Sequence, residues 1–175
     1  MGEYRFVRKK TTKEDMAKIL ANLRDYSRDE LLVVAGTEEQ ALEQAIDGSR
    51  DVWSGYINDE LGIVYGVKIV NILSNHAYIW MLTTEQAEKH WVTFVRVSTM
   101  CTWELLNQYE KITAISPLRS KVSHKWLEYI GFKQTGVARI YGIKFKTYEI
   151  TRDMLADEKI QWFRGDDGWQ PLLAS

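Results

Sequence analysis

Hydrophobic positions along the chain change period several times, and each change marks an element. Tyr4 and Phe6 alternate with basic neighbours in the manner of a half-buried strand. Thr12 with Asp15 then reads as a capping box, and Met16, Ile19, Leu20 and Leu23 follow at the i, i+3, i+4, i+7 spacing of one apolar helical face. A second helical stretch over 28–34 stops at Gly36, and a third over 38–46 turns Ala41, Leu42, Ala45 and Ile46 inward before Gly48. Residues 51–57 and 61–70 are rich in β-branched and aromatic side chains and are joined by Asn58-Asp59, which predicts a hairpin.

After a turn at Ser74-Asn75, the run Ala77 to Leu82 has no alternation, which predicts a mid-sheet strand buried on both faces. The stretch 88–109 carries Trp91, Phe94, Val95, Cys101 and Leu105 on one face, widened by Val92, Trp103 and Leu106, and predicts the longest and most buried helix. Lys111 to Ser116 is a short strand stopped by Pro117. Ser120 is the expected N-cap of a helix bearing Val122, Trp126, Leu127 and Ile130, ended by Gly131. Two strands over 132–139 and 143–150 form a hairpin around Tyr141-Gly142. The order strand, helices, three strands, long helix, strand, helix, two strands implies an α/β (α+β) domain: a mixed sheet with helices on its faces.

Composition narrows the function classes. The 175 residues suit one domain, expected over 1–150, with an aromatic extension over 151–175. With 23 basic against 24 acidic residues and a net charge of −1, neither a nucleic-acid binder nor a polybasic membrane anchor is expected. The single cysteine rules out an internal disulfide and a Cys-rich zinc site, which suits a reducing compartment. No apolar leader and no run of about 18 apolar residues is present, so a protein of the cytoplasm is expected.

Two segments carry a resemblance. Trp80-Met81-Leu82-Thr83-Thr84 leads into the long helix, and Ser120-Lys-Val-Ser-His-Lys-Trp-Leu-Glu-Tyr-Ile-Gly-Phe132 closes a later one. Together with the order of elements they resemble the GNAT acyltransferase fold over about residues 4–150. The resemblance implies a mostly antiparallel sheet splayed at its central strands, with acetyl-CoA as the possible cofactor and its pantetheine arm along the splayed strand. Leu82, Thr83 and Thr84, with His90 and Ser120, are then the candidate cofactor contacts. The family's Gln/Arg-x-x-Gly-x-Gly/Ala signature is replaced by Glu85-Gln86-Ala87-Glu88-Lys89-His90, which puts two acids where glycines let a backbone approach a pyrophosphate. Counting back from Gly131-Phe132, the family's cofactor-contacting asparagine falls on Ser120 and its proton-donating tyrosine on Leu127. Tyr129, a candidate for the catalytic role beside Glu85, lies about 200° further round the helix and cannot substitute for that tyrosine unless the helix moves. The acid role is vacant, and the chemistry reads as lost or altered.

A second likeness is narrower. Residues 23–30, 41–55 with Ser49-Arg50-Asp51-Val52-Trp53-Ser54-Gly55, Val64-Tyr65-Gly66-Val67, 80–84 and 125–132 resemble the GNAT-like internal virion or head-assembly protein of T7-like tailed phages, which also has leucine at the tyrosine position. This likeness implies a phage protein of the host cytoplasm or the virion, acting in virion morphogenesis through a protein partner. Two alternatives stand beside it. One is an active acyl-CoA-dependent N-acyltransferase acting on a host protein, toxin or small amine. The other is an inhibitor that binds a host factor.

The remaining candidates each have a plain structural reading. Glu85 fits a general base acting through water, or a solvated loop carboxylate. His90 fits a phosphate contact or proton relay, or a polar first-turn residue. His76 falls in a turn and His124 on an exposed helix face, and the three histidines lack metal-ligand spacing. Cys101 reads as a small buried hydrophobe. Trp53, Trp80, Trp91, Trp103 and Trp126 read as core fillers. Arg5, Arg8, Lys9, Lys10 and Lys13 read as a solvated strand edge. In the tail, Trp162, Phe163 and Trp169 sit among three basic and five acidic residues and either wrap back on the domain or anchor a partner.

Overall fold

The computed structural model describes residues 5–24, 27–28, 31, 36–156, 161–165 and 168–172, with side chains as far as residue 154. Its strands are β1 (Phe6–Lys10), β2 (Asp51–Ile57), β3 (Glu60–Asn71), β4 (His76–Thr83), β5 (Lys111–Pro117), β6 (Lys133–Ile140), β7 (Ile143–Thr151), β8 (Gln161–Gly165) and β9 (Gly168–Leu172). Its helices are α1 (Lys13–Ala21), α2 (Glu38–Asp47), α3 (Glu85–Lys89), α4 (Trp91–Gln108), α5 (Lys121–Tyr129) and α6 (Arg152–Ala156). Seven strands form one sheet in the order β1-β2-β3-β4-β5-β7-β6, and β8 pairs with β9 separately. Within the large sheet β4 and β5 are parallel, and the other neighbours are antiparallel.

Local chemistry explains the connections. Thr12 Oγ1 accepts from the Asp15 amide at 3.2 Å while Asp15 Oδ2 accepts from the Thr12 amide at 3.0 Å, so the expected capping box opens α1. Asn58 and Asp59 both take positive φ, 51° and 66°, as a two-residue turn between right-twisted strands requires. Tyr141 and Gly142 do the same between β6 and β7.

A separate core lies on each face of the sheet. Beneath α4 and α5, Phe94, Leu106, Trp126 and Leu127 pack on Ile63, Ala77, Ala114 and Tyr148. Beneath α1 and α2, Ile19, Ala41 and Leu42 pack on Tyr56, Val64 and Leu82. Adjacent residues such as Ile63 and Val64 serve opposite cores, because successive side chains of a strand point to opposite faces.

Several expectations are corrected. The strand expected to be buried on both faces is only half-buried over Tyr78 to Met81, and its pairing with β5 stops at Tyr78↔Thr113, which leaves Ile79 to Met81 beside an unpaired edge. The helix expected over 88–109 begins at Trp91: Glu88 belongs to α3, and His90 separates the two at φ −113° and ψ 42°. Trp91 and Val92 are accordingly exposed, and Val122 of α5 is exposed too. Of the tryptophans read as core, Trp126 is buried while Trp53, Trp80 and Trp103 are half-buried. His124, expected on an exposed face, is buried with Nε2 2.9 Å from the Pro117 carbonyl oxygen. The helix expected over 28–34 lies largely outside the described residues. No described helix is long and apolar enough to cross a membrane.

Candidate functional site

The two central strands part after Tyr78, and a cavity of about 110 Å³ opens at the parting. Ile79, Met81 and Thr83 of β4 and Ala114 and Ser116 of β5 line it, and Leu127 of α5 closes one side. Residues 79–83 of β4 pair with β3, and residues 114–117 of β5 pair with β7. Toward each other these edges carry no strand pairing. An extended ligand with amide groups finds there both an apolar slot and backbone donors and acceptors.

The polar groups of the wall are largely engaged. Ser98 Oγ donates to the Val95 carbonyl at 3.0 Å and accepts from Trp126 Nε1 at 3.0 Å, and Thr102 Oγ1 donates to the Ser98 carbonyl at 2.8 Å. A cluster from three elements joins the wall at β3 and α4. Arg8 Nη1 donates to Glu104 Oε2 at 2.6 Å and to Tyr65 Oη at 3.2 Å, and Tyr65 Oη donates to Cys101 Sγ at 3.6 Å. Burial pushes the Cys101 thiol up and outweighs the Tyr65 hydrogen bond and the Arg8 charge, so the thiol stays protonated at neutral pH. Burial likewise pushes the Tyr65 phenol up. Sequence reading placed Cys101 correctly on an apolar helix, but gave Tyr65 no role and read Arg8 as part of a solvated strand edge; both reach the thiol, across 36 and 93 residues of chain.

The candidate residues separate. Thr83 lines the cavity. Leu82 points the other way, into the core beneath α1 and α2. Thr84 is buried, with Oγ1 donating to the Leu61 carbonyl at 2.8 Å and accepting from the Gln86 amide at 3.2 Å, so its hydroxyl caps α3. Glu85 is exposed in the first turn of α3 and off the cavity wall. His90 is half-buried at the junction of α3 and α4. Ser120 is buried at the start of α5, where Oγ donates to Ser123 Oγ at 2.7 Å. Tyr129 is 66% exposed, whereas Leu127 is buried on the cavity wall, so the phenol does not reach the site. Trp162, Phe163 and Trp169 lie on β8 and β9, and their side chains are outside the described residues.

The mouth of the cleft decides how far a coenzyme A fits. An apolar, amide-bearing arm suits the slot between β4 and β5. A diphosphate does not suit the segment beyond it. The Gln86 and Ala87 amides are occupied by Thr84 Oγ1 and the Thr84 carbonyl, at 3.2 Å each, and Glu85 and Glu88 add negative charge. Glu88 forms an ion pair with Arg24 across the rim. The side chains of Lys89, His90 and Trp91 occupy the stretch where close backbone approach calls for glycine.

The fold has counterparts among solved structures. An aminoglycoside acetyltransferase, AAC(6')-Ib, solved with ribostamycin and coenzyme A, superposes with a TM-score of 0.69 at 13% identity, over 88% of this chain and 97% of that one. The fold is that of the GNAT N-acetyltransferases. A spermidine N-acetyltransferase from Vibrio cholerae, in complex with CoA and spermine, matches at TM-score 0.65 and 13% identity over 87% of this chain and 98% of its own. An N-acetyltransferase from Staphylococcus aureus Mu50 matches at 0.59 and 13% over 85% and 99%. No family model and no curated protein matches the sequence. The likeness to a phage internal virion protein therefore rests on the sequence segments alone.

Proposed function

We propose that this is a GNAT-fold protein with altered acyltransfer chemistry, whose cleft takes the pantetheine arm of an acyl thioester without a cradle for the nucleotide diphosphate. The parting of β4 and β5 around an apolar cavity carries this reading. Leu127 in the wall, with Tyr129 turned to solvent, leaves departure of the thiol without a tyrosine acid at that place. The test is a thermal-shift titration of the full chain with S-acetyl-pantetheine and with acetyl-CoA. A ligand at about 100 times its dissociation constant adds about 2.7 kcal/mol of stability. Comparable stabilisation by the two ligands is expected. Much tighter binding of acetyl-CoA overturns the missing cradle, no binding of either overturns the cleft, and brisk acetylation of an amine overturns the altered chemistry in favour of an active N-acyltransferase.

The leucine at the acid position also favours a role carried by protein contacts. In that reading the chain acts in phage virion morphogenesis within the host cytoplasm, with a virion or host protein as partner and Trp162, Phe163 and Trp169 as its anchors. Absence of the protein from purified particles, with normal assembly when it is removed, would rule this out. Unchanged partner binding after deletion of 157–175 removes the tail from the account and leaves host-factor inhibition to be tested on the domain.

A further inference from the structure

Among the described residues two buried hydroxyls, those of Ser116 and Tyr148, have no hydrogen-bond partner, and of the two only Ser116 lines the cavity. It is 1% exposed, it lines the cavity, and its Oγ has no hydrogen-bond partner. A buried polar group left unsatisfied is destabilising, so native structures rarely keep one without a use. The neighbouring hydroxyls differ. Those of Ser98 and Thr102 are held by their own helix, and that of Ser123 accepts from Ser120. Ser116 also sits on the strand face it shares with Ala114, which packs beneath α4 and α5, and it lies where the β5 edge has lost β4 as a partner.

We propose that Ser116 is the polar anchor of the cleft, its hydroxyl hydrogen-bonding an amide or thioester carbonyl of the extended arm bound between β4 and β5. The inference rests on the acyl-arm reading and sharpens it. A hydroxyl offers one donor and two acceptor lone pairs, so it serves a carbonyl directly and tolerates an amide N–H in a neighbouring register. Hydrocarbon of the same shape satisfies the apolar slot but leaves Ser116 unpartnered, and the site then discriminates an amide-bearing arm from a plain acyl chain. Ser116 is a binding residue here, and no bond is made or broken at it.

The experiment compares the full-length protein with its Ser116→Ala and Ser116→Thr variants, using S-acetyl-pantetheine in calorimetric and thermal-shift titrations. Ser116→Ala is expected to bind about tenfold more weakly, a change of about 1.4 kcal/mol. Its ligand-free melting temperature is expected to stay level or rise, because an unpartnered buried hydroxyl is removed. Ser116→Thr keeps the hydroxyl, has the cavity to receive the added methyl, and is expected to bind like the wild type. Equal affinity of Ser116→Ala and wild type overturns the proposal while the acyl-arm cleft stands, and leaves the hydroxyl to water. A ligand-free melting temperature several degrees lower in Ser116→Ala overturns it in favour of a structural role. Failure of the wild type to bind removes both the cleft reading and the anchor.

Discussion

Gly66 and Trp80 face each other across β3 and β4, and a β-carbon on Gly66 would stand 2.4 Å from the Trp80 indole ring. The indole lies over the glycine, and its Nε1 donates to Ser49 Oγ at 2.9 Å, which ties the β4 strand to the end of α2. Gly66→Ala is expected to lower stability by about 1–3 kcal/mol through overpacking. Denaturant midpoints check the loss, and a change in tryptophan emission shows that the ring has moved. An unchanged midpoint would mean the ring swings clear at no cost.

Asp15 does more than cap α1. It is buried at 2% exposure and also accepts a hydrogen bond from the Tyr56 hydroxyl. Burial opposes its charge, but hydrogen bonds from Tyr56, the Thr12 amide and Ser54 outweigh that and hold the carboxyl below its ordinary 3.8. Its contribution is therefore full above that value and is lost as the pH falls through the lower folded value. Asp15→Ala is expected to cost about 1–3 kcal/mol at neutral pH, by leaving Tyr56 unpartnered, and to flatten the acid limb of the stability curve. Chemical denaturation across pH 2–7 measures both effects.

His124 has the same sign at a higher pH. Burial holds its pKa below the ordinary 6.5, against the opposing hydrogen bond to the Pro117 carbonyl; Lys146 pushes it further down and Glu128 pulls it up. The unfolded chain then binds the proton first, and stability falls as the pH drops below about 6.5. His76, also lowered by burial, adds in the same direction. The expected signature is a melting temperature that declines from pH 7 to 5, with a shallower decline in His124→Gln.

Leu127 and Tyr129 separate packing from chemistry. Leu127→Ala is expected to enlarge the cavity and lower stability by about 2–5 kcal/mol. Tyr129→Phe is expected to change neither stability nor ligand affinity, and a loss of acyl transfer in that variant would return the phenol to the site.

Cys101 reports on the cavity from within. Because burial raises its pKa, alkylation by iodoacetamide at neutral pH is expected to be far slower than for a free thiol, and slower again with S-acetyl-pantetheine bound. A rate equal to that of a free thiol would show that the wall opens readily at α4.

Much of this was legible along the chain because it is local. The capping box at Thr12 and Asp15, the left-handed pairs at Asn58-Asp59 and Tyr141-Gly142, and the apolar faces of α1 and α2 each depend on residues within a turn or two. The break at His90 was missed because an apolar face continues through Trp91 and Val92, which the fold leaves exposed at the start of α4. His124 was misplaced for the converse reason: the adjacent Ser123 and Lys125 are polar, but the Pro117 carbonyl from the end of β5 receives its ring.

Periodicity and turn chemistry thus determined the elements, their order and the mixed sheet, because hydrogen bonding and side-chain alternation act over a few residues. The vacancy at Leu127 was visible there as well. Only the tertiary structure decided that β4 and β5 part after three residue pairs and that Ser116 is buried there without a partner. Only it joined Arg8, Tyr65 and Cys101 in one hydrogen-bonded cluster. Those facts belong to the packing of distant segments against one another, where the free energy depends on which surfaces meet and not on the sequence spacing between them.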